Sequence, residues 1–125
     1  MQGTHLLADW RDCATSPAAP AMTDPNALRT ACLQAVREAG LHPVGELFHA
    51  FAAPGGVTGL VLLAESHLAL HTWPELNAVT LDVYVCNLLR PNEDRAEHLL
   101  ALLRPLFKPG RVQQQRVLRG ALLPP

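Results

Sequence analysis

Glu65-Ser66-His67-Leu68-Ala69-Leu70-His71-Thr72-Trp73-Pro74-Glu75 is the stretch that decides the fold of this chain. Strict alternation puts His67, Ala69, His71 and Trp73 on one side and Leu68, Leu70 and Thr72 on the other, which is the period of a β-strand. Leu68 and Leu70 belong to a core, so two imidazoles and an indole decorate the opposite face. The same period argues against a shared metal ion. Four residues of strand span about 13 Å, too far for His67 and His71 to ligate one zinc, although a helix would bring them together. No metal is expected. An amphipathic strand with miscellaneous polar groups on its outer face would show the same alternation, and Ser66 alone reads equally well as a turn residue.

Outward from this strand, residues 43–52, 57–64 and 78–86 read as further strands, with Gly55-Gly56 and Pro74-Glu75-Leu76-Asn77 as the punctuation between them. In 78–86, Ala78, Thr80, Asp82, Tyr84 and Cys86 share one side, and a tight hairpin lays Asp82 and Cys86 beside the preceding strand. Cys86 taken alone reads as a small buried hydrophobe. His5 to Trp10 reads as a first strand. Residues 14–25 form a proline-rich surface loop whose prolines withhold backbone donors. A helix follows, capped by Thr23 or Asp24 with Pro25 at its first position, burying Leu28, Cys32, Ala35, Val36 and Ala39 and stopping at Gly40. A second helix over 92–106 buries Ala96, Leu99, Leu100 and Leu103. Val112 to Leu118, with three glutamines, reads as a closing edge strand. The order β-α-β-β-β-β-α-β predicts an α+β fold: a two-layer sandwich with two helices on one face of a mostly antiparallel sheet, in a single domain over 1–125.

Of the 125 residues, 49% are hydrophobic and 17% charged, which gives ample core material and little tendency to disorder. A net charge of −1 gives no electrostatic case for nucleic acid or an anionic membrane. No apolar run approaches the roughly 20 residues that span a bilayer, and the first residues lack the layout of a secretory signal. Three cysteines without paired spacing fit a reduced, cytoplasmic protein.

The segment 65–75 closely resembles the self-cleavage and active-site signature of the short, prokaryotic S-adenosylmethionine decarboxylase proenzymes. The flanks match in order: His5-Leu6, Phe48-His49-Ala50-Phe51 followed by Gly56-Val57-Thr58-Gly59, Asp82-Val83-Tyr84-Val85-Cys86 and Arg119-Gly120. The resemblance implies cleavage between Glu65 and Ser66 into a β chain 1–65 and an α chain 66–125. Ser66 would become a covalent pyruvoyl group that binds the substrate amine as a Schiff base. It further implies His71 as the base in processing, Thr58 as the holder of the oxyester oxyanion and Cys86 as the proton donor in turnover. Phe51, Trp73 and Glu75 would bind substrate, through adenine stacking, a pocket wall and the ribose hydroxyls respectively. A small-molecule substrate and a homodimer with active sites at its interface complete the expectation.

This chain departs from the family pattern at several places. Thr58 stands where serine is commoner, an extra glycine lies between Phe51 and Thr58, Asn77-Ala78 replaces a Gly-aromatic pair, and Asn87 replaces a glycine after Cys86. These positions bear on the walls around the substrate. Two alternatives therefore stand beside S-adenosylmethionine decarboxylation: a pyruvoyl-dependent decarboxylase of ornithine or arginine, and a non-cleaving regulatory homologue.

Overall fold

The alternating stretch becomes the middle of a sheet. A computed structural model describes residues 2–14, 20–53 and 55–120, and those residues form the following elements. In chain order they are β1 (Gly3–Cys13), α1 (Pro20–Thr23), α2 (Pro25–Glu38), β2 (Gly45–Ala50), β3 (Val57–Leu63) and β4 (Ser66–Trp73), then β5 (Ala78–Cys86), α3 (Glu93–Phe107) and β6 (Pro109–Arg119). A single 3₁₀ turn at Pro74–Leu76 joins β4 to β5. The strands lie in the order β2-β3-β4-β5-β1-β6, every neighbouring pair antiparallel.

This topology explains the two layers. β2 to β5 are consecutive hairpin neighbours and need only short connections. β1 and β2 run in the same direction, as do β5 and β6, and parallel strands cannot be joined by a tight turn. Each of these pairs is bridged by a long helix, α2 and α3. Both helices pack on one face, where Leu6, Trp10, Leu68, Leu70, Val83, Leu28, Val36, Leu99, Leu103 and Phe107 are all fully buried. The other face carries no helix among the described residues.

The expected helix caps are present. Asp24 Oδ1 accepts the N–H groups of Asn26 at 2.9 Å and Ala27 at 3.3 Å, and Gly40 takes φ 80° just past the end of α2. Asn77 sits at φ 48°, ψ 45°, the left-handed conformation a glycine would otherwise supply.

Several boundaries differ from the sequence reading by one or two residues, and three regions differ by more. β1 covers residues 3–13 rather than 5–10, and β6 covers 109–119 rather than 112–118, because the two pair along their full lengths. The proline-rich segment is not loop throughout. Its last residues form α1, which buries Ala21 and Met22, while residues 15–19 lie outside the described part. The Met22 carbonyl accepts the buried Thr72 hydroxyl at 2.7 Å, so this short helix is fastened directly to β4. No described helix is long and apolar enough to cross a membrane.

Candidate active site

The residues singled out in the sequence fall into two groups at opposite ends of β4. Glu65 and Ser66 occupy the β3–β4 hairpin, where Leu63 pairs with Ser66 across a two-residue turn of Ala64 and Glu65. Ala64 holds φ 29°, an uncommon conformation for a residue with a β-carbon. Ser66 is thus the first residue of a strand, not a turn residue, and is half-buried. Its Oγ accepts the backbone N–H of Cys86 at 3.1 Å. Ala64, Glu65 and Ser66 share a cavity of about 430 Å³ with His67, Tyr84 and Arg119.

Cys86 is 9% exposed and held from several sides. Its carbonyl accepts the Asn92 side-chain amide at 2.8 Å. Asn87 accepts the Asn92 backbone N–H at 2.8 Å and donates to the buried Thr4 hydroxyl at 3.1 Å. The end of β5 is therefore tied both to β1 and to the start of α3. The other two thiols sit elsewhere. Burial pushes Cys32 up to about 12, and burial followed by the neighbouring Asp12 carboxylate raises Cys13.

The second group surrounds a cavity of about 540 Å³ lined by Phe51, Thr58, His71, Trp73 and Glu75. Thr58 and His71 are directly opposite on β3 and β4, and Thr58 Oγ1 lies 3.0 Å from His71 Nδ1. Trp73 leans beside His71, ring centroids 6.3 Å apart, with its indole N–H donating to Thr80 Oγ1 at 3.3 Å. The second glycine of the Gly55-Gly56 pair has a steric reason. A β-carbon on Gly56 would stand 2.3 Å from the Thr72 carbonyl, so only glycine lets the loop approach β4 there.

Five positions separate Ser66 from His71, a rise of about 16 Å along a strand. A base must come within about 3 Å of the proton it takes. Within one chain, then, His71 does not reach Ser66.

A third cluster was missed by the sequence reading, which weighed His67 only against His71. His67 Nε2 and His5 Nε2 each lie 2.9 Å from the same oxygen, Asp82 Oδ2. The pairing register brings them together: His5 and His67 both stand opposite Tyr84, on strands flanking β5. The three ligand atoms lie within 4.8 Å of one another, close enough for a metal ion. Arg119 opposes that use, because its Nη1 lies 3.0 Å from His5 Nδ1. A guanidinium only donates, so Nδ1 must accept and the His5 proton sits on Nε2, the nitrogen a metal would need. The array is a hydrogen-bond chain running Arg119, His5, Asp82, His67.

Comparison with known proteins places this architecture. The family model described as S-adenosylmethionine decarboxylase matches residues 4–120. The S-adenosylmethionine decarboxylase proenzyme of Acidithiobacillus ferrooxidans is 36% identical over 119 residues, 94% of this chain and 82% of that one. The proenzyme of Moorella thermoacetica is 33% identical over 123 residues, covering 98% and 91%. The crystal structure of the adenosylmethionine decarboxylase from Aquifex aeolicus superposes with a TM-score of 0.78 at 30% identity, covering 92% of this chain and 88% of that one. With the family model over residues 4–120, the proenzyme relatives and the superposed solved structure in agreement, this chain belongs to the S-adenosylmethionine decarboxylase family.

Proposed function

We propose that this chain decarboxylates S-adenosyl-L-methionine to S-adenosylmethioninamine, the aminopropyl donor for spermidine. It does so after cutting itself between Glu65 and Ser66. The observation that carries this reading is the approach of Ser66 Oγ to the Cys86 N–H at 3.1 Å, beside an exposed two-residue turn. A hydroxyl next to the bond to be cut, with a donor aimed at its oxygen, suits the formation of a pyruvoyl group at position 66.

In maturation Ser66 Oγ attacks the Glu65 carbonyl carbon, the peptide C–N bond breaks and its nitrogen takes a proton, leaving an ester. Removal of the Ser66 α-proton then breaks the Cβ–Oγ bond, and that oxygen departs within the Glu65 carboxylate. The enamine left at residue 66 takes a proton at Cβ and becomes an imine, and water then replaces its nitrogen, releasing ammonia and leaving a ketone. The pyruvoyl group supplies an electron sink for the carbon–carbon bond that breaks as carbon dioxide leaves. Cys86, whose main-chain N–H meets Ser66 Oγ at 3.1 Å, delivers a proton to the substrate carbon from its thiol. Thr58 and His71 form the processing pair, and Phe51, Trp73 and Glu75 wall the substrate cavity.

The separation of about 16 Å between Ser66 and His71 requires these groups to come from two copies. A two-fold axis lying between two facing bare sheets, perpendicular to β4, reverses that strand and lays the Ser66 end of one protomer over the partner's His71. Leu7, Leu47, Leu62 and Trp73, exposed on that face, supply apolar surface for such a homodimer. The three cysteines are free thiols, which supports a cytoplasmic location.

Two measurements test the reading. Carbon dioxide release is compared with S-adenosylmethionine, ornithine and arginine, and the purified protein is weighed under denaturing conditions before and after borohydride. Release from S-adenosylmethionine, with two fragments and a reducible carbonyl on the 66–125 piece, is expected. A single chain with no trappable carbonyl would sink the proposal.

A further inference from the structure

We infer that His67 is a positioning residue whose side chain holds the catalytic end of the chain once the bond before Ser66 is cut. The inference rests on the reading above and adds a role for the Arg119–His5–Asp82–His67 chain.

Cleavage creates a physical problem. Before it, residue 66 is braced by the hairpin turn on one side and the β4 ladder on the other. Afterwards it is a chain terminus, and terminal residues open at almost no free-energy cost. The reacting carbonyl would then sit at the loosest point of the strand, although a displacement of about 1 Å can slow a reaction about a hundredfold. The described side-chain hydrogen bond of Ser66, to the Cys86 N–H, runs through Oγ. That atom leaves with Glu65. Nothing made by the serine hydroxyl survives to hold the new terminus.

The next residue is His67, one peptide bond from the reacting carbon. Its backbone lies between Leu62 and Tyr84 in the ladders, and its ring is fixed twice. Nε2 bonds Asp82 Oδ2 at 2.9 Å, and the ring stacks on Tyr84 with centroids 5.9 Å apart and planes 27° apart. Both supports are themselves fixed. Asp82 is shared with His5, which Arg119 holds through Nδ1. Tyr84 lies over Gly3, where any β-carbon would stand 2.4 Å from its hydroxyl. The terminus is thereby anchored across β4, β5, β1 and β6, by contacts that cleavage does not break.

The test compares His67→Ala, His67→Gln and Asp82→Asn, each in the cleavable protein and in an uncleavable Ser66→Ala background. Cleavage is followed by mass, turnover by kcat and KM, and strand opening by amide exchange over residues 67–70. His67→Ala is expected to cleave normally, then to lose kcat about 10- to 100-fold with KM little changed. Exchange over 67–70 should quicken roughly tenfold in the cut protein and stay as in the parent in the uncut one. His67→Gln, which keeps a donor for Asp82, should recover much of kcat, and Asp82→Asn should lie between. Unchanged kcat, failed cleavage, or faster exchange in both backgrounds would each overturn the inference. A parent protein that never cleaves would instead remove the reading beneath it, and that is seen before any His67 variant is made.

Discussion

Cys86 serves Ser66 through its main chain: the backbone N–H of residue 86 donates to Ser66 Oγ at 3.1 Å. Replacing the side chain leaves that donor in place. Cys86→Ala should therefore cleave between residues 65 and 66 as the parent does. Its turnover should fall about 100-fold or more, the usual worth of a general acid. Mass measurement and carbon dioxide release on one preparation check both halves, and near-normal turnover would remove Cys86 from proton delivery.

The separation of Ser66 from His71 predicts complementation. His71→Ala and Ser66→Ala chains, each expected to stay uncut alone, assemble a complete site when made together. The His71→Ala chain then supplies Ser66 and Cys86, and its partner supplies His71. With random pairing, about half of the His71→Ala chains should be cleaved and no Ser66→Ala chain should be. Mass resolves the two. Absence of any cleavage in the mixed sample would refute a site shared between protomers.

Asn87→Gly restores the commoner family residue and removes the bonds to Thr4 and from Asn92. Thr4 is fully buried, so its hydroxyl loses a partner that water does not replace. A loss of about 2 kcal/mol in urea unfolding is expected. Stability equal to the parent would show that the two bonds contribute nothing net.

Cys32 predicts a response to alkali. Burial raises its thiol from the ordinary 9.0 to about 12, so the unfolded chain loses this proton first as pH rises. Stability from the neutral buried thiol is complete below pH 9 and is lost between 9 and about 12. The slope there approaches about 1.4 kcal/mol per pH unit. Urea unfolding of the parent and of Cys32→Ala across that range checks it; parallel curves would contradict the assignment.

Much of this fold was legible because its elements announce themselves locally. Leu68 and Leu70 gave β4 its phase, and Asp24-Pro25 with Gly40 bracketed α2. β6 was read too short because both its faces are exposed, so Gln113 to Gln115 carry no alternation. α1 hid behind prolines, its burial being set by the distant Thr72. The Phe51, Thr58 and His71 grouping followed from family likeness, and the three residues line one cavity. The His5–Asp82–His67 cluster was invisible for a different reason. It depends on β1 entering the sheet beside β5, a pairing between segments 77 positions apart that no local period encodes.

The strand order also says what becomes of the two pieces after the bond at 65 opens. The first piece would own β1, β2 and β3 and the second β4, β5 and β6, yet the sheet reads β2-β3-β4-β5-β1-β6. β1 is clasped between two strands of the other fragment, with ten paired positions on its β6 side and eight on its β5 side. Such halves are dovetailed: neither can leave without drawing a strand out from between its neighbours, so the nicked molecule should travel, bind and unfold as one body.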